Sequence, residues 1–90
     1  MIKIMTHDEL AEKKHELLYV LVLRSNSWPS GKLFHVRDLV PEPEVWLSWK
    51  KENMGVVLWL GKRFYEHQER KSTFMGLDPA LNDGAATYMN

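Results

Sequence analysis

Ninety residues with twelve basic and twelve acidic side chains make a formally neutral chain with room for one small domain. A hydrophobic fraction of 44%, with four tryptophans and three phenylalanines, excludes intrinsic disorder, which needs low hydrophobicity and high net charge. The lack of cysteine excludes a disulfide framework and favours a reducing, cytoplasmic setting.

The first residues, Met1-Ile2-Lys3-Ile4-Met5, show no signal-peptide pattern. Thr6 and Glu9 then stand at capping-box spacing, with Met5 and Leu10 at hydrophobic-staple positions and Asp8 at the positive end of the dipole. Leu10, Leu17, Leu18 and Leu21 share one face, predicting a helix over 6–24 that ends in the turn-forming Ser25-Asn26-Ser27. The run Leu17 to Leu23 includes a β-prone stretch, 19–23, and is far short of the ~20 residues that cross a bilayer. It is apolar nearly all round, so either the core or a second copy of the chain would bury it.

Trp28-Pro29-Ser30-Gly31 reads as a turn, 32–36 as a short extended segment and 37–40 as a helical turn. Pro41 and Pro43 act as breakers before a short helix over 44–50, interrupted by Asn53-Met54-Gly55. A longer helix follows over 54–70, with Met54, Val57, Leu58, Gly61, Phe64 and Tyr65 at apolar spacing and Trp59 on the opposite, exposed side. Two β-like runs, 73–77 and 85–89, flank a turn-rich loop over 78–84 and predict a hairpin, with residues 78–90 partly disordered. The whole is a single mainly helical α+β domain over 1–90.

Nothing marks an enzyme. His7, His15, His35 and His67 are scattered without metal-ligand spacing, so no metal or cofactor is expected. No nucleophile elbow, P-loop or dinucleotide fingerprint is present. Residues 50–72 concentrate charge instead: Lys50, Lys51, Lys62, Arg63, Arg70 and Lys71 stand against Glu52, Glu66 and Glu69. These six cations are the candidate DNA contacts, and the competing reading is a core helix with a solvated outer face. Trp59, beside arginine, is the candidate anchor for a protein partner.

From Trp28 onward a family pattern can be traced. Pro29, Gly31, Phe34, Val36, Asp38 and Leu39 resemble the "P-x-G-x-x-F-x-V-x-D-L" stretch of small proteins of unknown function from Gram-positive bacteria and their phages. Trp46, the run Leu60-Gly61-Lys62-Arg63-Phe64, and Asn82 with Ala85, Ala86 and Tyr88 are similar to the features that follow in that family. The resemblance implies a winged-helix-like fold in a phage or mobile-element setting, and it implies no activity.

The expected order of helix, strand, short helix, long helix and hairpin is that of a winged helix, whose second helix of the pair enters the major groove. The expectation is therefore a small winged-helix or helix-turn-helix protein that binds double-stranded DNA or regulates transcription. The alternative is an adaptor or inhibitor that binds a host protein. Self-association as a homodimer is an option beside core burial of 17–23, and no membrane association is expected.

Overall fold

The computed structural model describes residues 2–70, 74–76 and 87–89. Thr6 caps the first helix, α1 (His7–Asn26), and both arms of the capping box form. The Glu9 N–H donates to Thr6 Oγ1 and the Thr6 N–H to Glu9 Oε1, each at 3.2 Å. Those bonds from Thr6 hold the Glu9 carboxyl below the usual carboxylate range. Met5 and Leu10 are both buried, as a staple requires.

α1 runs two residues past the predicted end. The buried Ser25 hydroxyl donates to the Val22 carbonyl at 2.7 Å, so a turn-forming residue is accommodated inside the last turn. The β-prone 19–23 stretch stays helical. Leu10, Leu17 and Leu21 are fully buried within the chain, whereas Leu18 is half-buried and Tyr19 and Leu23 are exposed.

The turn after α1 needs Gly31 for its backbone, at φ 82°; a Cβ there would meet open space, so the left-handed conformation alone explains the glycine. β1 (Leu33–Phe34) follows, with Leu33 exposed and Phe34 buried. A 3-10 turn, η1 (Val36–Leu39), then buries Val36 and Leu39. The Asp38 carboxylate accepts the His35 N–H at 2.8 Å and closes this turn.

Pro43, predicted as a breaker, is instead in the first turn of α2 (Pro43–Glu52), where a missing N–H has no cost. The interruption after α2 is Asn53 alone, because Met54 and Gly55 already belong to α3 (Met54–Arg70). Asn53 serves both helices. Its N–H donates to the Trp49 carbonyl at 2.9 Å, and its Oδ1 accepts the Val56 N–H at 3.2 Å. Its Nδ2 donates to the His7 carbonyl at 3.1 Å, fastening the junction to the start of α1. One residue makes the corner. Asn53→Ala is expected to cost about 1–2 kcal/mol and to lower the melting temperature by roughly 5–10 °C. Asn53→Asp, which keeps the cap but loses the Nδ2 donor, should fall between.

The junction also fixes how α3 is rotated. Its buried residues are Val56, Val57, Leu60, Phe64 and Gln68, a stripe turned from the predicted one. Met54 and Leu58 are exposed and Gly61 and Tyr65 half-buried; only Val57 and Phe64 belong to both stripes. Apolar spacing counts Met54 and Leu58 as core, but the Asn53 cap turns Val56 and Leu60 toward α1 and α2.

β2 (Phe74–Gly76) and β3 (Thr87–Met89) pair antiparallel, as the predicted hairpin requires, and the loop over 78–84 lies outside the described residues. β1 joins β3 as well, giving a three-stranded sheet of order β1-β3-β2. Phe34 lies against Tyr88 at 5.7 Å between ring centroids, and Phe64 reaches Tyr88 at 5.0 Å. This aromatic triangle joins the sheet to α3. Trp49 is fully buried, and its Nε1 donates to the Lys3 carbonyl at 2.7 Å.

Candidate nucleic-acid interface

The cations of 50–72 do not form one continuous basic face. Lys50 and Lys51 lie in the last turn of α2, where the negative helix end favours cations; Lys50 is half-buried and Lys51 exposed. Lys62, Arg63 and Arg70 are exposed along α3, and Lys71 lies outside the described residues. Glu66 and Glu69 share this outer side, so α3 presents three cations with two acids interleaved.

Arg63 is already engaged. Its Nη1 donates to Glu66 Oε1 at 3.3 Å, one helical turn along, and its guanidinium stands 5.9 Å from the Trp59 ring centre. Lys62, Arg70 and Lys51 have no ion-pair partner among the described residues. A phosphate would therefore meet free charge at Lys62 and Arg70, and a charge shared with a carboxylate at Arg63.

Trp59 is half-buried at the seam between α1 and α3, where the predicted position was the open side of the helix. The ammonium of Lys14 lies 4.7 Å above its ring, and His15 meets the ring edge-on at 4.9 Å. Each cation over an indole is worth about 0.5–1 kcal/mol where solvent reaches it. Trp59 thus works first as a platform that collects basic side chains. No spacing rule within α3 shows this, because Lys14 and His15 come from α1, 45 and 44 residues before Trp59.

Sequence reasoning also passed over a second basic region. Between Glu16 and Asp38 there is no acid, while Arg24, Lys32 and Arg37 all fall in this stretch. The signal was available in a simple charge count. Among the described residues, no group of three histidine or carboxylate side chains converges as a metal site would require, and no helix is long and apolar enough to cross a membrane.

No family model matches the chain, and no curated protein or solved structure does either. The residues behind the family resemblance nonetheless have definite places. Phe34, Val36, Leu39, Trp46, Leu60, Phe64 and Tyr88 are core, Gly31 makes the turn and Asp38 closes η1. Asn82, Ala85 and Ala86 lie outside the described residues. The motif positions that are described build the fold and leave the outer face of α3 unspecified.

Proposed function

We propose that this chain is a winged-helix-like module that docks α3 against duplex DNA and regulates transcription without chemistry of its own, in a phage or mobile-element setting. One observation carries the reading: with the short turn η1 set aside, the elements follow one another as α1, β1, α2, α3, β2, β3, with β3 between β1 and β2. That is the connectivity in which a winged helix offers its third helix to the major groove. Lys62 and Arg70 supply phosphate contacts, Lys50 and Lys51 add sequence-independent attraction, and Lys71 extends the same charge run. Arg63 contributes after giving up Glu66.

The test is fluorescence anisotropy of labelled random-sequence duplex DNA at several salt concentrations. Three or four phosphate contacts predict a slope of about −3 to −4 in log affinity against log salt. Lys62→Ala should reduce that slope by about 0.9 and weaken all sequences alike. A folded protein that binds no duplex at low salt would overturn the reading.

A second reading, capture of a host protein, is favoured by a different observation. α2 and α3 leave Leu47, Met54 and Leu58 exposed, the first at 62%. An apolar N-terminal half suits α3 to a protein groove better than to base edges. Leu58→Ser would then abolish partner capture and leave DNA affinity unchanged, whereas Trp59, held at the α1–α3 seam, would act through its neighbours.

A further inference from the structure

We infer that the groove where α1 gives way to β1 is a docking site for an acidic peptide segment that carries one apolar anchor side chain. The groove, of about 380 Å³, is lined by Leu23, Arg24, Ser27, Trp28 and Leu39. It lies on another part of the chain from Lys62 and Arg70 and does not rest on the DNA reading.

Its lining sets Leu23, Trp28 and Leu39 beside Arg24 and Ser27, with Lys32 close by. Leu23 is 47% exposed although it borders a concave surface, and Tyr19, one turn earlier on α1, is 65% exposed. Trp28 is half-buried and braced against Phe34 at 5.5 Å, which holds one wall in place. The ammonium of Lys32 stands 5.8 Å from the Trp28 ring centre. Arg24 donates from Nε to the Leu39 carbonyl at 2.6 Å, which orients its guanidinium at the groove before any ligand arrives. Arg37 is exposed on η1, the turn that contributes Leu39.

The charge selects the occupant. Arg24 lines the groove and Lys32 stands over Trp28, so carboxylates on a ligand would meet these two cations, with Arg37 on η1; the exposed Asp38 of the same turn is bonded to the His35 N–H. The negative end of α1 does not oppose them strongly, because the N–H groups of Ser27 and Trp28 close onto the Arg24 and Ser25 carbonyls. A second copy of this chain fits poorly: a two-fold contact would join this patch to a copy of itself, and both sides would bring cations, Arg24 and Lys32. Duplex DNA also fits poorly, since its backbone would cover Leu23 and Trp28 without filling the concavity. A half-buried tryptophan with exposed tyrosine and arginine beside it is the usual making of a peptide hot spot.

The experiment is panning of a random peptide display library on the full chain, with affinities of recovered peptides measured by fluorescence anisotropy. Recovered peptides should carry several aspartates or glutamates around one leucine or aromatic residue. Lys32→Glu and Leu23→Ser, both at exposed positions, should each weaken those peptides about tenfold with the circular dichroism spectrum unchanged. The proposal is overturned if the recovered peptides show no acidic preference, or if none is recovered from folded protein. It is equally overturned if both variants bind as the parent does, or if random-sequence duplex DNA displaces the peptide through Lys32.

Discussion

Replacing Trp49 with alanine is expected to bring the chain to the edge of unfolding at room temperature. Trp49 is the largest fully buried side chain, and it packs beside Trp46 in the same helix. Truncating a buried tryptophan costs about 3–5 kcal/mol, through lost transfer energy and the cavity left behind. A domain of this size has only about 5 kcal/mol to lose. The indole N–H adds a specific bond, because its acceptor, the Lys3 carbonyl, lies 46 residues away in sequence. Trp49→Phe separates the two contributions. It keeps most of the apolar volume, so it should cost less than the alanine variant and include about 1 kcal/mol for the lost bond. Urea unfolding followed by far-ultraviolet circular dichroism measures both. An alanine variant as stable as the parent would remove Trp49 from the centre of the fold.

Alkaline destabilisation between pH 10 and 12 is the second large expected effect. Tyr88 is 1% exposed, and burial, reinforced by the neighbouring Tyr65, pushes its phenol up to about 12. In the unfolded chain the phenol ionises near 10. Below pH 10 both states hold the proton and its stabilising effect is fully present. Between 10 and 12 the unfolded chain releases the proton first, so stability falls with rising pH by up to about 1.4 kcal/mol per unit. The loss reaches about 2 kcal/mol by pH 12. Tyr88→Phe keeps the ring against Phe34 and Phe64 and should remove this part of the pH dependence. If the phenylalanine variant loses stability as steeply as the parent over the same range, other groups carry the effect.

The sequence made some of these elements legible and hid others for identifiable reasons. Thr6, Glu9, Met5 and Leu10 announce the start of α1 because capping and staple contacts are local. The span of α3 is likewise readable from its apolar residues. Its rotation is not, because Asn53 sets it through a bond to His7, 46 residues earlier. Pro43 reads as a breaker when its position in a helix is unknown, and it becomes a starter once Glu42 precedes it as the cap residue. β1 falls inside the extended segment read over 32–36, but its pairing with Tyr88 and Met89 across the sheet is not a local property. At the candidate interface, local charge locates Lys62, Arg63 and Arg70 but not the pairing of Arg63 with Glu66 or the gathering of Lys14 and His15 at Trp59.

The order β1-β3-β2 has a consequence for how the chain is made. Of the three strands, the middle one leaves the ribosome last. Phe34 emerges 53 residues before Thr87, a delay of roughly 3–10 s at ordinary elongation rates. Throughout that interval the backbone edge of β1 has no strand to pair with, while α1, α2 and α3 find partners in one another as each is completed, α3 last at Arg70. The nascent chain therefore passes through a helical stage with one unsatisfied edge, the species most open to capture by a chaperone or by another nascent copy. Arrival of Tyr88 ends it, setting the central strand and the aromatic wedge in a single step.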